Sequence, residues 1–420
     1  MLSQIKQAWK LKDVRRKILY TLMMIVVFRI GATIPVPGVN TNIIKGMVDS
    51  NGLLSLYNMF TGGAFSQFTL FALGIGPAIT ASIIIQLLTI GFESLEELQK
   101  SGEEGKKKIN KYTKYIALVL AFIQAIAITL GIVKGALISK SAFFIITVIL
   151  TLVSASMLLM WIGDKITEKG LGNGSSIIIF IGIVSGIPKD IISTVSLVKS
   201  GKVQIWAAVV LVILLTIAAV TYIQEATRKI PVQYAKRVVG RKMYGGQSSH
   251  IPMKVNQSGV IPVIFASSLL AFPQTIAMFM GADAQKFVQT YLSPMQAPGV
   301  WIYRTLEILL IVFFSYFYTT VSFNTEDIAN NMKNNGGFIP GIRPGKPTID
   351  YLNRILSRLT LAGALFLSVI VMISAIVMFF MKIQITLVGT SLLIVVGVAL
   401  ELKRQLESNL VMRTYQGFLK

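Results

Sequence analysis

Leu70 to Leu88 reads LFALGIGPAITASIIIQLL, and a second stretch, Ser258 to Leu270, reads SGVIPVIFASSLL. Laid over one another without a gap, they match Gly74 with Gly259, Pro77 with Pro262, Ile79 with Ile264, and Ala81-Ser82 with Ala266-Ser267. Apolar identities arise by chance in a greasy chain. Gly and Pro each weaken a helix interior, so finding both in register marks a shared local structure. Gly/Pro-interrupted hydrophobic segments at corresponding places in two halves point to a transport path where two repeats meet.

Composition agrees. Of 420 residues, 54% are hydrophobic and 14% charged, outside the soluble globular range. A span needs about 20 apolar residues. Ten such runs are legible: Ile18 to Ile34, Phe68 to Ile90, Tyr115 to Val133, Ala142 to Ile162, Ser175 to Ile187, Val203 to Ile223, Gly259 to Met280, Ile302 to Phe323, Ile355 to Met381 and Ile383 to Leu402. The fifth is short, and Gly172 and Gly174 before it predict an unwound start, with Asn173 or Ser175 as helix cap. The two copies sit in the second and seventh runs, an odd number of crossings apart, so they traverse the membrane in opposite senses. The expected fold is an all-α polytopic membrane protein of ten transmembrane helices in two inverted five-helix halves, residues 18–190 and 203–402. An amphipathic segment, 1–17, with Trp9 at the interface, and a tail, 403–420, complete it.

Charge sets the orientation. The net charge is +22, and with the N-terminus inside, 30 of the 40 Lys and Arg fall on the cytoplasmic side and 9 on the outer side, counting Arg304 at the start of the eighth run, leaving Arg29 within the first run. The positive-inside rule then puts both ends in the cytoplasm. Arg29 within the first run, and Pro35-Val-Pro37 after it, give the pattern of a retained span and not of a cleaved signal.

Energy-supplying and catalytic chemistry is not legible. There is no cysteine, and the one histidine, His250, stands in an inner loop without ligand partners. GEEGKKK lacks the Gly-x4-Gly-Lys-Ser/Thr spacing of a phosphate loop, and Gly170-x-Gly172-x-Gly174 lacks the GxGxxG spacing of a dinucleotide turn. Almost no charged residue falls well within a run, the exceptions being Arg29 and, near the start of the eighth, Arg304 and Glu307, whereas ion-coupled carriers mark their route with buried Asp, Glu or His. No cofactor is implied. A small-solute carrier, or a scaffold gripping RNA through basic loops, would be the rival reading.

Three further features carry function. Leu53, Leu54, Leu56, Tyr57, Met59 and Phe60 form an apolar helix too short to span, broken by Gly62-Gly63, which reads as a re-entrant or an interfacial piece. Ile79 and Ile83 are one helical turn apart, as are Ile179 and Ile183, and Ile79 and Ile264 hold equal repeat positions. Bulky aliphatics so placed can close a pore by excluding water. Finally, the inner loops Gln224 to Asn256 and Asn324 to Asn353 are longer than orientation needs, and carry Arg241, Lys242, Arg343 and Lys346 among tyrosines and prolines.

ALGIGPAITASIIIQLL (Ala72 to Leu88) and WIGDKITEKGLGNGSSIII (Trp161 to Ile179) resemble the two signature stretches of the SecY family, the channel subunits of the bacterial Sec protein translocon. NMFTGG, KVNQSGVIPVIFASS, IPGIRPG and GTSLLIVVGV extend the likeness over the whole chain. The resemblance implies a protein-conducting channel in the bacterial plasma membrane, which translocates unfolded secretory polypeptides and releases transmembrane segments sideways into lipid. It implies a pore ring of Ile79, Ile83, Ile179, Ile183, Ile264 and Ile394, and a plug at about 53–63. It further implies a lateral gate involving Gln86, Ser267 and Phe272, and a partner surface that includes Arg241, Lys242, Arg343, Lys346 and Tyr415. The implied partners are SecE and SecG, the SecA motor ATPase, the ribosome, a preprotein with its signal sequence, and the lipid bilayer.

Overall fold

The structure is a computed structural model. It describes residues 9–417 apart from 51–53, 55–57, 59–60, 140, 189–190, 193–194, 196–202, 235–236, 240–241, 245–247, 293–298 and 382–388. Apolar helices build it, as the composition requires. The first group comprises α1 (Lys12–Gly31), α2 (Thr41–Ser50), α3 (Gly76–Gly91), α4 (Glu93–Lys100), α5 (Glu103–Gly131), α6 (Ala142–Lys169) and α7 (Gly174–Val184). The second comprises α8 (Val203–Glu225), α9 (Ile261–Met280), α10 (Ala282–Tyr291), α11 (Gly299–Ser322), α12 (Thr325–Asn334), α13 (Lys346–Met381) and α14 (Thr390–Gly417).

Five of the described helices are long and apolar enough to cross a membrane, or six if α3 and α4, which meet at 104°, count as one broken span. The remaining sequence runs fall short for visible reasons. The α7 helix has 11 residues, α1 carries lysines and arginines, and the tenth run begins among residues outside those described. The charged segment Gly91 to Lys114 is largely helical. ESLEELQK forms α4 without burying a residue, and the lysine-rich part of α5 continues the helix beyond its apolar stretch. Pairs at i,i+4, Glu96 with Lys100 (2.6 Å) and Glu104 with Lys108 (3.5 Å), support these exposed turns.

The two long loops hold the only strands among the described residues. β1 (Thr227–Tyr234) and β4 (Ser248–Lys254) pair antiparallel, with β2 (Arg237–Val239) and β3 (Lys242–Tyr244) as a smaller ladder between them. β5 (Gly337–Phe338), from the other long loop, pairs with the far edge of β1 through Gln233 and Tyr234. Ile230, Val232 and Met253 on one face of the sheet join Ala329, Met332, Ile339, Leu352 and Ile355 in a satellite core. The two loops are therefore one folded unit.

The main core lies where the two helix groups meet. Contacts between the groups run from α9 to α3, from α9 to α5, and from α14 to α7. Phe265 of α9 and Phe314 of α11 pack edge to face at 5.6 Å in the same cluster.

Candidate functional site

The two matched stretches fold alike. Gly74 (φ 58°) and Gly259 (φ 65°) both adopt the left-handed conformation that a Cβ disfavours. The next residues, Ile75 (φ −92°, ψ 5°) and Val260 (φ −100°, ψ −4°), are the N-caps of α3 and α9. Pro77 and Pro262 occupy the first turn, where a missing N–H leaves nothing unsatisfied. The N–H groups of Ala78 and Ile79 donate to Ile75 O at 3.1 Å, and those of Val263 and Ile264 donate to Val260 O at 3.1 and 3.2 Å. The shared Gly and Pro thus encode one turn, used twice.

A cavity of ≈ 80 Å³ lies between these helices. The α3 side contributes Gly74, Ile75, Gly76, Ile79 and Thr80; the α9 side contributes Ile264, Ser267, Ser268, Ala271 and Phe272. Ile179 of α7, Gln124 of α5, and Thr61 and Leu73 complete the wall, and no lining residue is titratable. Ile79, Ile83, Ile179, Ile183, Ile264 and Ile394 are all buried in the main apolar cluster, with relative exposures from 0% at Ile394 to 9% at Ile79. Ile79 of α3, Ile179 of α7 and Ile264 of α9 meet at the cavity wall, whereas Ile83, Ile183 and Ile394 lie in the same buried cluster but not in that wall.

Local devices fix α7 beside this cavity. The Asn173 side chain accepts the N–H groups of Ser175 (3.0 Å) and Ser176 (3.3 Å), so Asn173 is the cap. Gly174 lies directly on the Gly163 backbone, leaving no room for a Cβ. At the other end a Cβ on Gly62, whose φ is 67°, would come within 2.6 Å of Gly182 Cα. Ser185 Oγ donates to Gly182 O at 2.6 Å and lies 3.2 Å from Gly62 O.

The polar residues collect along the seam between α9 and the α3–α5 pair. Ser267 is buried and donates back to Val263 O at 2.8 Å, while Phe272 is partly buried at the cavity wall. Gln86, further along α3, does not line the cavity, and its Oε1 is buried without a hydrogen-bond partner. Gln124, Thr80, Ser268 and Thr61 were not singled out from sequence. Polar side chains within apolar runs, above all Gln124 in the third, were the signal available.

The other sequence candidates separate. Of the short apolar helix, Leu54 packs against a second cluster around Phe65, Phe68 and Leu152, while Leu53, Leu56, Tyr57, Met59 and Phe60 lie outside the described residues. Arg343 and Lys346 are exposed beside the three-stranded sheet unit. Arg241 lies outside the described residues, and Lys242 (β3) and Tyr415 (α14) are described by backbone alone. Arg304 and Glu307 pair within α11 at 2.6 Å, with side chains 12% and 2% exposed. Arg29 Nη1 is buried without a hydrogen-bond partner. Among the described residues no three His, Cys, Asp or Glu come together in a metal-binding group.

Apolar spanning helices, a twice-used interrupting turn and an uncharged cavity between the two copies define a polytopic membrane transport protein. A family model described as SecY matches residues 69–403. The protein translocase subunit SecY of Rickettsia typhi (strain ATCC VR-144 / Wilmington) is 43% identical over 418 residues, 97% of this chain and 96% of that one. That of Streptomyces scabiei is 43% identical over 441 residues, covering 100% of both. Among solved structures, a protein-conducting channel superposes with a TM-score of 0.70 at 20% identity, over 94% of this chain and 92% of its own. Sec61 in the canine ribosome-channel complex from the endoplasmic reticulum gives 0.66 at 18% identity, over 94% and 92%. The chain belongs to the SecY family.

Proposed function

We propose that a translocating polypeptide passes between α3, α7, α9 and α14, through a ring formed by Ile79, Ile83, Ile179, Ile183, Ile264 and Ile394. As a SecY-family member the chain is a protein-conducting channel subunit that moves polypeptides across a membrane, and it is not an enzyme. The observation that carries the ring is the convergence of aliphatic side chains from both helix groups beside a cavity without a titratable group. Such a wall binds no sequence strongly, and excludes water and ions when empty. A small-solute carrier would need charged or titratable groups on the route.

In this reading spans one to five and six to ten form two inverted halves, 18–190 and 203–402, with both termini in the cytoplasm of a bacterial cell and the channel in its plasma membrane. The shared turn at Gly74 and Gly259 supports the repeat, and the lysine and arginine asymmetry supports the orientation. The segment at about 53–63 is the plug, seated on α7 through Gly62. The seam of Gln86, Ser267 and Phe272 is the lateral gate. Hydrophobic segments leave through it because burying apolar surface in lipid is worth roughly 25 cal/mol per Å². The sheet that unites the two long loops, with Arg241, Lys242, Arg343 and Lys346, and Tyr415 on the tail, is the platform for SecA and the ribosome. SecE and SecG are the companion subunits, and an unfolded preprotein with a signal sequence is the substrate.

The test uses the absence of native cysteine. A stalled substrate carrying one cysteine should form disulfides with Ile79→Cys, Ile179→Cys and Ile264→Cys, and not with Ile44→Cys, which is buried in the second cluster. Equal crosslinking at Ile44, or none at the other three positions, would place the route elsewhere.

A further inference from the structure

The loop from Gly170 to Gly174 is bolted to both helix groups. On one side Leu171 N–H donates to Thr21 Oγ1 of α1 at 3.0 Å. On the other, Gly172 N–H donates to Gln405 Oε1 of α14 at 2.6 Å, a hydrogen bond spanning 233 residues of sequence. Gly172 has φ 80°, and a Cβ there would lie 2.7 Å from Leu402 Cδ2, so glycine permits the approach. The loop itself is stiff. Gly174 N–H donates to Thr167 Oγ1 at 2.8 Å, and Asn173 caps α7. At the same level α14 is tied to the second group: Lys403 pairs with Glu225 at 2.6 Å, and an Arg404 guanidinium nitrogen donates to the Gln224 carbonyl at the end of α8.

The place of this junction along α14 matters. Ile394 and Gln405 belong to one unbroken helix that continues to Gly417. At 1.5 Å per residue, Gln405 stands about 17 Å from Ile394 and about 18 Å from the far end. A rigid rod held at its middle moves its two ends in opposite directions.

We propose that the Gln405–Gly172 contact is the pivot between the two halves at the cytoplasmic rim, and that α14 carries load from its cytoplasmic end across this pivot to Ile394. Gln405 and Gly172 are positioning residues: they touch no substrate, and set how tightly the constriction closes at rest. The inference rests on the assignment of Ile394 to the ring.

The experiment uses the full chain, purified with its bound subunits and placed in lipid vesicles, with spin labels at Lys169→Cys and Ser408→Cys, both exposed. With Gln405 intact the label-to-label distance should form a single narrow distribution. Gln405→Leu keeps the bulk but removes the acceptor. It should broaden that distribution and raise resting ion flux about fivefold, the equivalent of one neutral hydrogen bond of ~1 kcal/mol. Gln405→Glu keeps an acceptor oxygen and should resemble the parent in both readouts. A role in packing alone predicts the reverse order, Leu tolerated and Glu harmful. Gly172→Ala, which drives a Cβ into Leu402, gives a second route to the loosened state should the Leu variant not assemble. Parent-like distances and flux in both Gln405→Leu and Gly172→Ala overturn the pivot. Ile79→Gly with Ile264→Gly, measured alongside, separates that failure from failure of the ring: leak there with none in the pivot variants leaves the ring standing and removes the pivot.

Discussion

Replacing Ile79 and Ile264 with glycine should make the resting channel leak. Both side chains border the ≈ 80 Å³ cavity, with exposures of 9% and 6%. Each substitution removes four carbons from the wall, and at ~0.8 kcal/mol per buried CH₂ this withdraws about 3 kcal/mol of aversion to water per residue, about 6 for the pair. The gap, which already adjoins Thr80, Ser267 and Ser268, then becomes wide enough, and polar enough at its margin, to hold a continuous file of water. Each glycine also costs about 1 kcal/mol of helix propensity, so Ile79→Ser with Ile264→Ser serves as a pair that wets the wall with less penalty to the helices. The assay is conductance across a planar bilayer with no substrate and no motor present. Steady ion current should appear in both pairs and be absent from the parent. Ile44→Ala, which empties an equally buried site in the second cluster, should lower stability by about 2–5 kcal/mol without current. Silent bilayers from well-assembled Gly and Ser pairs would refute the idea that these isoleucines form the seal, as would current from Ile44→Ala.

Other outcomes follow from the geometry. Arg343→Glu, reversing an exposed charge beside the sheet, should reduce SecA-driven import into vesicles severalfold and leave the resting conductance alone; undiminished import would remove Arg343 from the partner surface. Asn173→Ala deprives α7 of its cap and should cost about 1 kcal/mol, visible as a lower midpoint of thermal unfolding in detergent; an unmoved midpoint would make the two Asn173 hydrogen bonds dispensable. Gly62→Ala combines a left-handed backbone with a Cβ 2.6 Å from Gly182 Cα, and should unseat the segment from α7, read as faster proteolysis near residue 62. Equal digestion rates would argue that the contact is not needed. For Lys254, burial and then the nearby Arg404 hold the ammonium pKa below its ordinary value. The folded state therefore binds this proton less well than the unfolded one, and stability gains as pH rises through the lowered folded pKa towards ~10.4. Lys254→Met should flatten that part of the stability curve, and an unchanged slope just below about pH 10 would contradict the burial.

The sequence made the membrane class and the twice-used turn legible, because apolar run length and a Gly-Pro register are local signals. A cap at Asn173 or Ser175 was readable for the same reason, and the hydrogen bonds select Asn173. The joining of the two long loops was not. Strand β1 contains Pro231 and β4 contains Pro252, both of which argue against a strand when read alone. The partner of Gln233 is Phe338, over a hundred residues away, a distance that no periodicity reports. Alternation in β1, with Ile230 and Val232 buried between exposed neighbours, was the only local hint. The apolar runs were visible, but which of their scattered polar residues face the cavity depends on how α3, α5 and α9 pack, so Gln124 stayed hidden, while Ser267, which lines it, and Gln86, which does not, entered through family likeness. Arg304 and Glu307 showed the converse. They stood out as charges in an apolar run, and prove to neutralise one another inside a single helix.

Strand β1 has a neighbour on each edge, one from each long loop, and this constrains anyone who builds chimeras. A relative's residues 227–254 transplanted alone would meet a foreign 337–338 segment at Gln233 and Tyr234, and would cover the satellite core with mismatched side chains from Ala329 to Ile355. Exchanges that preserve assembly should move both pieces together, so any difference in motor or ribosome preference carried by these loops is inherited as a block.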